Sequence, residues 1–218
     1  MGIAENIEGI KKELGEGVTL VAVSKYSSDE AVQEAYDAGL RDFGENKAQD
    51  VTARKDRFPD DVRWHFIGHL QRNKTKYIAP YIHLIHSVDS LKLLKEINKR
   101  AKNEERVIPV LMQLHIAKEE SKFGLDESEL MELIHSDELA AMENVRVEGL
   151  MGMATNTQED AMVRGEFEGL KAIFDRLAEA KTPANVEMKT LSMGMSNDYQ
   201  IAVECGSTQV RIGSAVFN

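Results

Sequence analysis

Short apolar runs alternate with longer amphipathic segments along the chain, and this alternation repeats eight times. Runs rich in aliphatic and β-branched residues predict strands, whereas apolar residues spaced three and four apart predict helices. A helix over residues 2–14 precedes the first run. The predicted strands cover residues 18–25, 42–46, 63–69, 82–88, 107–116, 145–154, 188–194 and 208–217.

Amphipathic patterns fill the intervals between these runs. The longest places apolar residues at positions 163, 167, 170, 173, 174 and 177, a stripe typical of a helix that packs on a core. Residues 70–81 give no clear pattern, and Pro80 ends any helix there early. Helices are predicted over residues 28–39, 47–58, 90–105, 127–142, 159–180 and 196–206.

The alternation of strand and helix predicts parallel β/α units. Nearly continuous apolar strands such as residues 107–114 agree, because a parallel sheet is covered on both faces. Eight units favour an α/β fold with a single (β/α)8 TIM-type barrel and an extra N-terminal helix, as one domain over residues 1–218. A doubly wound open sheet is the alternative.

Composition narrows the class of protein. The 218 residues are 42% hydrophobic, enough for one substantial core. The formal charge is −10 and Lys and Arg form no dense cluster, which argues against nucleic acid as a partner. No apolar run reaches membrane-spanning length, and the single Cys205 cannot form an internal disulfide. These features predict a soluble cytoplasmic protein.

Candidate chemistry lies at the carboxyl ends of the strands, where the active sites of β/α barrels are found. Lys25 directly follows the first interior strand; the ordinary interpretation is an ammonium group in water. The loops after strands seven and eight contain Gly194, Ser196, Gly213 and Ser214. Small residues let backbone N–H groups approach an anion, and Ser196 is expected to begin a helix. A simple turn with a helix cap is the alternative.

Barrel closure would place strand eight beside strand one, and therefore Arg211 beside Lys25. A buried guanidinium needs a partner, and a structural salt bridge is the ordinary one. An amine, an arginine and a phosphate-binding corner at one mouth together suggest a phosphorylated aldehyde as ligand. Partial desolvation of Lys25 would expose the free amine for Schiff-base formation.

Other motifs give no site. His65 and His69 are spaced like a metal pair, but four residues of a strand span about 13 Å. His83 and His86 would face opposite sides of their strand, so no metal site is predicted. The chain contains no dinucleotide-binding glycine fingerprint and no Walker loop.

An ordered set of short motifs spans the chain from strand one to the end: "LVAVSK", "FGENKAQD", "WHFIGHLQRNK", "KFG", "GLMGM" and "LSMGMSNDYQIAVECGSTQVRIGSAVF". This set resembles the YggS/PROSC family of pyridoxal 5′-phosphate (PLP) binding proteins. The resemblance implies a barrel like the N-terminal domain of alanine racemase. It also implies a PLP Schiff base on Lys25, phosphate contacts from Ser196, Gly213 and Ser214, Arg211 facing the pyridine nitrogen, and Asn46 near the ring. Because the sequence stops just after "VF", no helix is expected after strand eight.

An arginine at the ring nitrogen leaves the pyridine largely unprotonated, which weakens PLP as an electron sink. Racemisation also needs a second base, which the related racemases take from an added domain; none of Tyr26, Tyr36, Tyr77, Tyr81 and Tyr199 is an evident substitute. The resemblance therefore implies a monomeric, non-catalytic protein of PLP homeostasis that supplies PLP to apo PLP-dependent enzymes. A weak PLP-dependent racemase or lyase, or a lysine-based aldolase, remains open.

Overall fold

The computed structural model describes residues 2–119 and 123–218, so Lys122 of the "KFG" motif lies outside the described residues. Within them, eight parallel strands close into a barrel in sequence order. The strands are β1 (Thr19–Val23), β2 (Asp42–Glu45), β3 (Arg63–Phe66), β4 (Leu84–Val88), β5 (Ile108–Leu114), β6 (Val145–Gly152), β7 (Val186–Ser192) and β8 (Gln209–Ile212).

Closure decides between the two predicted folds. Strand β8 pairs with β1 in parallel, with Arg211 opposite Val21 and Ile212 opposite Ala22. This pairing confirms the TIM-type barrel, and the doubly wound open sheet is wrong because such a sheet leaves its first and last strands as edges.

Ten α-helices lie among the described residues. Nine follow strands, and the first precedes β1 as the N-terminal pattern predicts. They are α1 (Ile3–Leu14), α2 (Asp29–Asp37), α3 (Ala48–Arg54), α4 (Thr75–Ile78), α5 (Leu91–Asn103), α6 (Glu127–Ile134), α7 (Asp137–Ala140), α8 (Asp160–Glu179), α9 (Tyr199–Glu204) and α10 (Ser214–Phe217). No helix of the described residues is long and apolar enough to cross a membrane.

The predicted helix over residues 127–142 is two helices. His135 ends α6, and the Ser136 side chain accepts a hydrogen bond from the Leu139 backbone N–H to cap α7. A serine that bonds to the backbone in this way favours a helix start over a helix interior.

The apolar core has two parts of unequal size. The larger lies between the outer face of the barrel and the helices, and the α8 residues Val163, Phe167 and Leu170 belong to it. The smaller consists of Leu84, Leu111 and Met151, with Met153 packed against them. Much of the remaining buried polar surface comes from strand residues, namely His65, His86, Gln113, Ser192, Gln209 and Arg211.

The end of the chain differs from the predicted long strand. Strand β8 stops at Ile212, and the carbonyl of Gly213 accepts hydrogen bonds from the N–H groups of Val216 and Phe217. The expectation that no helix follows strand eight is therefore wrong. The Asn6 side chain of α1 donates to the carbonyls of Val216 and Asn218 at 3.1 Å each, which anchors this last turn.

Candidate functional site

A cavity of about 950 Å³ opens at the carboxyl ends of the strands. It is lined by residues of the loops that follow β1, β2, β3, β5, β6, β7 and β8. All six residues that the sequence predicts for the site line this one cavity: Lys25, Asn46, Ser196, Arg211, Gly213 and Ser214.

Lys25 lies two residues beyond the end of β1, in a loop whose backbone is held by the side chain of Arg54. Arg54 of α3 donates one hydrogen bond to the carbonyl of Ser24 at 2.8 Å and another to the carbonyl of Ser27. These two bonds hold the backbone on either side of Lys25. The Lys25 side chain is exposed, with Nζ 5.3 Å from the centroid of the Tyr26 ring.

Arg54 is held in turn by a buried carboxylate. Glu45, the last residue of β2, accepts hydrogen bonds from Arg54 Nη1 and from the Ser24 hydroxyl, both at 2.6 Å. Burial raises the pKa of Glu45, while Ser24 and Arg54 oppose the shift. Because the Glu45 side chain is fully buried, the carboxylate depends on these two donors for its charge.

The loops after β7 and β8 meet at a single hydrogen bond. The Ser196 hydroxyl accepts it from the backbone N–H of Gly213 at 3.3 Å. A Cβ on Gly213 would lie 3.3 Å from the carbonyl oxygen of Val23, so glycine lets this loop lie against β1. Small groups with exposed N–H and O–H donors at this corner suit an anion.

Ser196 does not begin a helix, contrary to the prediction. Helix α9 begins at Tyr199, and residues 195–198 form a turn in which the Met195 N–H donates to Asp198 Oδ1 at 2.5 Å. The Asp198 and Tyr199 N–H groups both donate to the Met195 carbonyl. The turn thus leaves the Ser196 hydroxyl at the cavity rather than at a helix end.

Arg211 is buried at the base of the cavity, with 4% of its surface exposed. Its Nη1 donates to the Ser192 hydroxyl at 2.6 Å and its Nη2 to the Gly152 carbonyl at 3.0 Å. Among the described residues no carboxylate forms an ion pair with it, so the salt bridge considered for this arginine is absent there. Burial lowers the pKa of Arg211 to about 10, which keeps the guanidinium charged at neutral pH.

Several residues at the site were not predicted. Ser192 and Gly152 are the acceptors of Arg211, and Tyr26, Phe123 and Met195 are exposed at the mouth of the cavity. The only sequence feature that could have pointed to Ser192 as a site residue is its hydroxyl, at the end of a strand that also contains apolar residues. The rim residues carry no signal, because an exposed apolar side chain in a loop has no periodic pattern.

The histidines pair between strands rather than along them. His65 of β3 lies 2.9 Å from His86 of β4 and 2.9 Å from Asp42 of β2. Asp42, His65 and His83 each have one atom that could bind a metal ion, and these three atoms lie within 4.8 Å of one another. Arg63, however, donates to both Asp42 oxygens at 2.7 and 2.6 Å, so a cation already satisfies the carboxylate.

A family profile described as alanine racemase, N-terminal domain, matches residues 2–218. Two relatives named pyridoxal phosphate homeostasis protein come from Aquifex aeolicus (strain VF5) and Escherichia coli (strain K12). The first is 36% identical over 99% of this chain and 94% of its own, and the second 38% identical over 93% and 86%. The chain belongs to the alanine racemase N-terminal domain family, among the pyridoxal phosphate homeostasis proteins. This finding confirms the resemblance stated from the motifs.

Solved structures of the family share the whole barrel. The structure of PipY of Synechococcus elongatus PCC7942 with PLP bound is 32% identical, with a TM-score of 0.89, over 99% of this chain and 100% of PipY. Alanine racemase from Bartonella henselae, with covalently bound pyridoxal phosphate, is 17% identical with a TM-score of 0.74. The match covers 98% of this chain and 57% of the racemase, and at that identity it shows a shared fold alone.

Proposed function

We propose that this chain binds PLP, holds it as a Schiff base on Lys25 and supplies it to apo PLP-dependent enzymes. The observation that carries the proposal is that the buried Arg211 guanidinium donates only to neutral acceptors among the described residues, Ser192 and the Gly152 carbonyl. The same cavity contains the exposed Lys25 and the anion corner at Ser196 and Gly213. A ligand with an aldehyde, a phosphate and a ring nitrogen would complement all three groups. The PLP-bound PipY relative supports this assignment.

The phosphate of PLP would bind at the corner formed by Ser196, Gly213 and Ser214. The Ser196 hydroxyl can donate to a phosphate oxygen while it still accepts from Gly213 N–H. The backbone N–H of Ser214 would be a further donor, and its hydroxyl lies on the same loop. Lys25 and Arg211 line the same cavity, and their positive charge favours an anionic ligand there.

Lys25 would form the covalent link at the opposite end of the ligand. Its neutral amine attacks the aldehyde carbon, a C–N bond forms, and the carbonyl oxygen leaves as one water molecule to give a C=N bond. The Arg54 bonds on both sides of Lys25 would limit the positions that the amine can take. Asn46, half-buried at the end of β2, would line the ring pocket between these ends.

The chemistry of Arg211 favours a carrier over an enzyme. A guanidinium can donate a hydrogen bond to the pyridine nitrogen but retains its own proton, so the ring stays largely unprotonated. An unprotonated ring accepts electrons poorly from a substrate carbanion. No catalytic residue is therefore assigned, and the curated relatives are likewise named for homeostasis rather than for a reaction.

Release to other proteins would take place at the exposed mouth. Tyr26, Phe123 and Met195 expose 90%, 53% and 38% of their surfaces around the cavity. Because all three line the same cavity, they would offer an apo enzyme apolar contacts at its mouth. We also propose that residues 1–218 form one domain, and that the protein is a cytoplasmic monomer without nucleic acid or membrane partners.

The test is reconstitution of the purified chain with PLP. We expect a yellow adduct, and borohydride reduction with peptide mass mapping should find the added mass on Lys25. Lys25→Ala should lose the adduct, whereas Lys47→Ala, an exposed lysine beside Asn46, should retain it. A colourless protein that modifies a phosphosugar through Lys25 would instead indicate an aldolase.

Two further assays separate carrier from enzyme. The loaded chain should transfer PLP to an apo PLP-dependent enzyme faster than PLP dissociates into buffer. It should not turn over a broad amino-acid panel above the rate of free PLP. Turnover that is lost in Tyr26→Phe would favour the weak racemase or lyase, because Tyr26 is the one described tyrosine that lines the cavity.

A further inference from the structure

A chain of hydrogen bonds runs through the barrel interior from the cavity to the far end of the strands. Its first link joins Arg211 Nη1 to the Ser192 hydroxyl at 2.6 Å, and its second joins Ser192 to Nδ1 of His86 at 3.0 Å. Nε2 of His86 lies 2.9 Å from Nδ1 of His65. Nε2 of His65 lies 2.9 Å from Asp42 Oδ1.

When both imidazoles are neutral, the carboxylate end fixes the direction of every bond in this chain. An ionised carboxylate can only accept, so His65 donates to Asp42 from Nε2–H and its Nδ1 is left as an acceptor. His86 then donates to that Nδ1 from its own Nε2–H, and Nδ1 of His86 accepts from the Ser192 hydroxyl. The Ser192 oxygen in turn accepts from the Arg211 guanidinium, which can only donate. In this arrangement both histidines are Nε2–H tautomers with Nδ1 unprotonated.

The charges at the two ends support this direction. Arg211 has no ion-pair partner among residues 2–119 and 123–218, although the lowering of its pKa by burial is opposed through space by the Asp198 carboxylate. Asp42, in contrast, is held as an anion by two bonds from Arg63. Arg63 and His65 lower the pKa of Asp42, and burial lowers that of His86 well below its usual value. Polarised bonds between a cation and an anion in a low-dielectric interior strengthen one another.

We propose that Ser192, His86, His65 and Asp42 form a one-directional relay that positions the Arg211 guanidinium and compensates its charge. Asp42 and Arg63 begin β2 and β3, so the relay couples the amino-terminal rim of the barrel to ligand binding at the opposite mouth. The four relay members are positioning residues, because they act on the ligand through Arg211. Only the identity of the ligand, PLP, rests on the proposed function.

The first test needs no ligand. Nitrogen NMR of the imidazoles in the ligand-free chain, assigned with His65→Gln and His86→Gln, should show both rings protonated at Nε2 and not at Nδ1. A neutral Nδ1–H tautomer, or a cationic ring, at either position at neutral pH would overturn the relay.

The second test measures PLP affinity by absorbance in variants of one strand. His86→Leu interrupts the relay and should weaken binding about tenfold, because Ser192 loses its acceptor and holds the Arg211 guanidinium less firmly. His86→Gln retains one acceptor and one donor and should recover much of that loss. Ser87→Ala is the control: Ser87 is equally buried, and its hydroxyl has no hydrogen-bond partner among the described residues.

A double-mutant cycle distinguishes positioning from general damage to the barrel. In an Arg211→Met background, His86→Leu should weaken PLP binding no further, because the relay has lost the group on which it acts. An equal loss in both backgrounds would overturn the proposal. If the unmodified chain fails to bind PLP, the proposed function is wrong. The relay is then tested by the NMR measurement of the histidine tautomers alone. If His86→Leu does not fold, Asp42→Asn takes its place in the same cycle.

Discussion

The backbone N–H of Gly213 donates to the side-chain oxygen of Ser196 at 3.3 Å, and this bond joins the loops after the last two strands of the barrel. Residues 17 positions apart in the chain thereby form one anion corner. The corner exists because β8 has closed the barrel against β1, which brings Gly213 against Val23.

Ser196→Ala should reduce PLP affinity about tenfold, because it removes a hydroxyl that can donate to the phosphate. Ser196→Thr keeps the hydroxyl and should stay within about threefold of the unmodified chain. Equilibrium titration of PLP absorbance measures both. Equal affinities for the alanine variant and the unmodified chain would remove Ser196 from the phosphate site.

Gly194→Ala should lower the free energy of unfolding by about 2 kcal/mol. Gly194 has φ of 98°, and a Cβ there would lie 2.6 Å from Cβ of Ala202. Gly9→Ala is the matched control: Gly9 lies within α1 with nothing within 4 Å of the new Cβ, so we expect a gain of about 0.5–1 kcal/mol. Urea denaturation gives both values, and a neutral Gly194→Ala would contradict the expectation.

Arg54→Met should destabilise the fold by about 3 kcal/mol, because it leaves the Glu45 carboxylate buried without its cation. The double variant with Glu45→Met should recover part of the loss. Arg57→Met provides the control, since Arg57 pairs with Asp29 at the surface and should cost under about 0.5 kcal/mol. Chemical denaturation of these variants and of Glu45→Met alone checks this, and losses that add in the double variant would show that Arg54 and Glu45 act independently.

Acid should destabilise the unmodified chain from about pH 6.5 downward, the usual pKa of histidine. In the unfolded chain His86 takes up a proton there, whereas burial and the nearby His65 and Arg211 keep it neutral in the fold. The unfolded state then binds more protons, so stability falls by up to about 1.4 kcal/mol per pH unit. His86→Gln should show a shallower slope in denaturation curves between pH 6.5 and 5, and identical slopes would contradict the assigned cause.

The order of elements was readable from the sequence, and the six candidate site residues that it pointed to line one cavity. Apolar periodicity is a local property, so it predicted the N-terminal helix and the first seven strands within about three residues of their observed ends, whereas strand eight ends five residues earlier than predicted. Motif order located Lys25, Ser196 and Arg211, since each follows or lies within a recognisable strand. Local signals failed at residues 196–217, where turn geometry and backbone packing, rather than hydrophobic pattern, decide where a helix begins.

Contacts between strands belong to the tertiary structure alone. His65 and His86 were considered only with partners in their own strands, yet His65 meets Asp42 and His86 on the two neighbouring strands, and His86 meets Ser192 across the barrel. The acceptors of Arg211 could not be predicted for the same reason. The sequence determined which side chains the barrel would contain and at which strand ends they lie. Only closure of β8 on β1 decided which of them meet, because the register of distant strands is fixed by packing that no local pattern encodes.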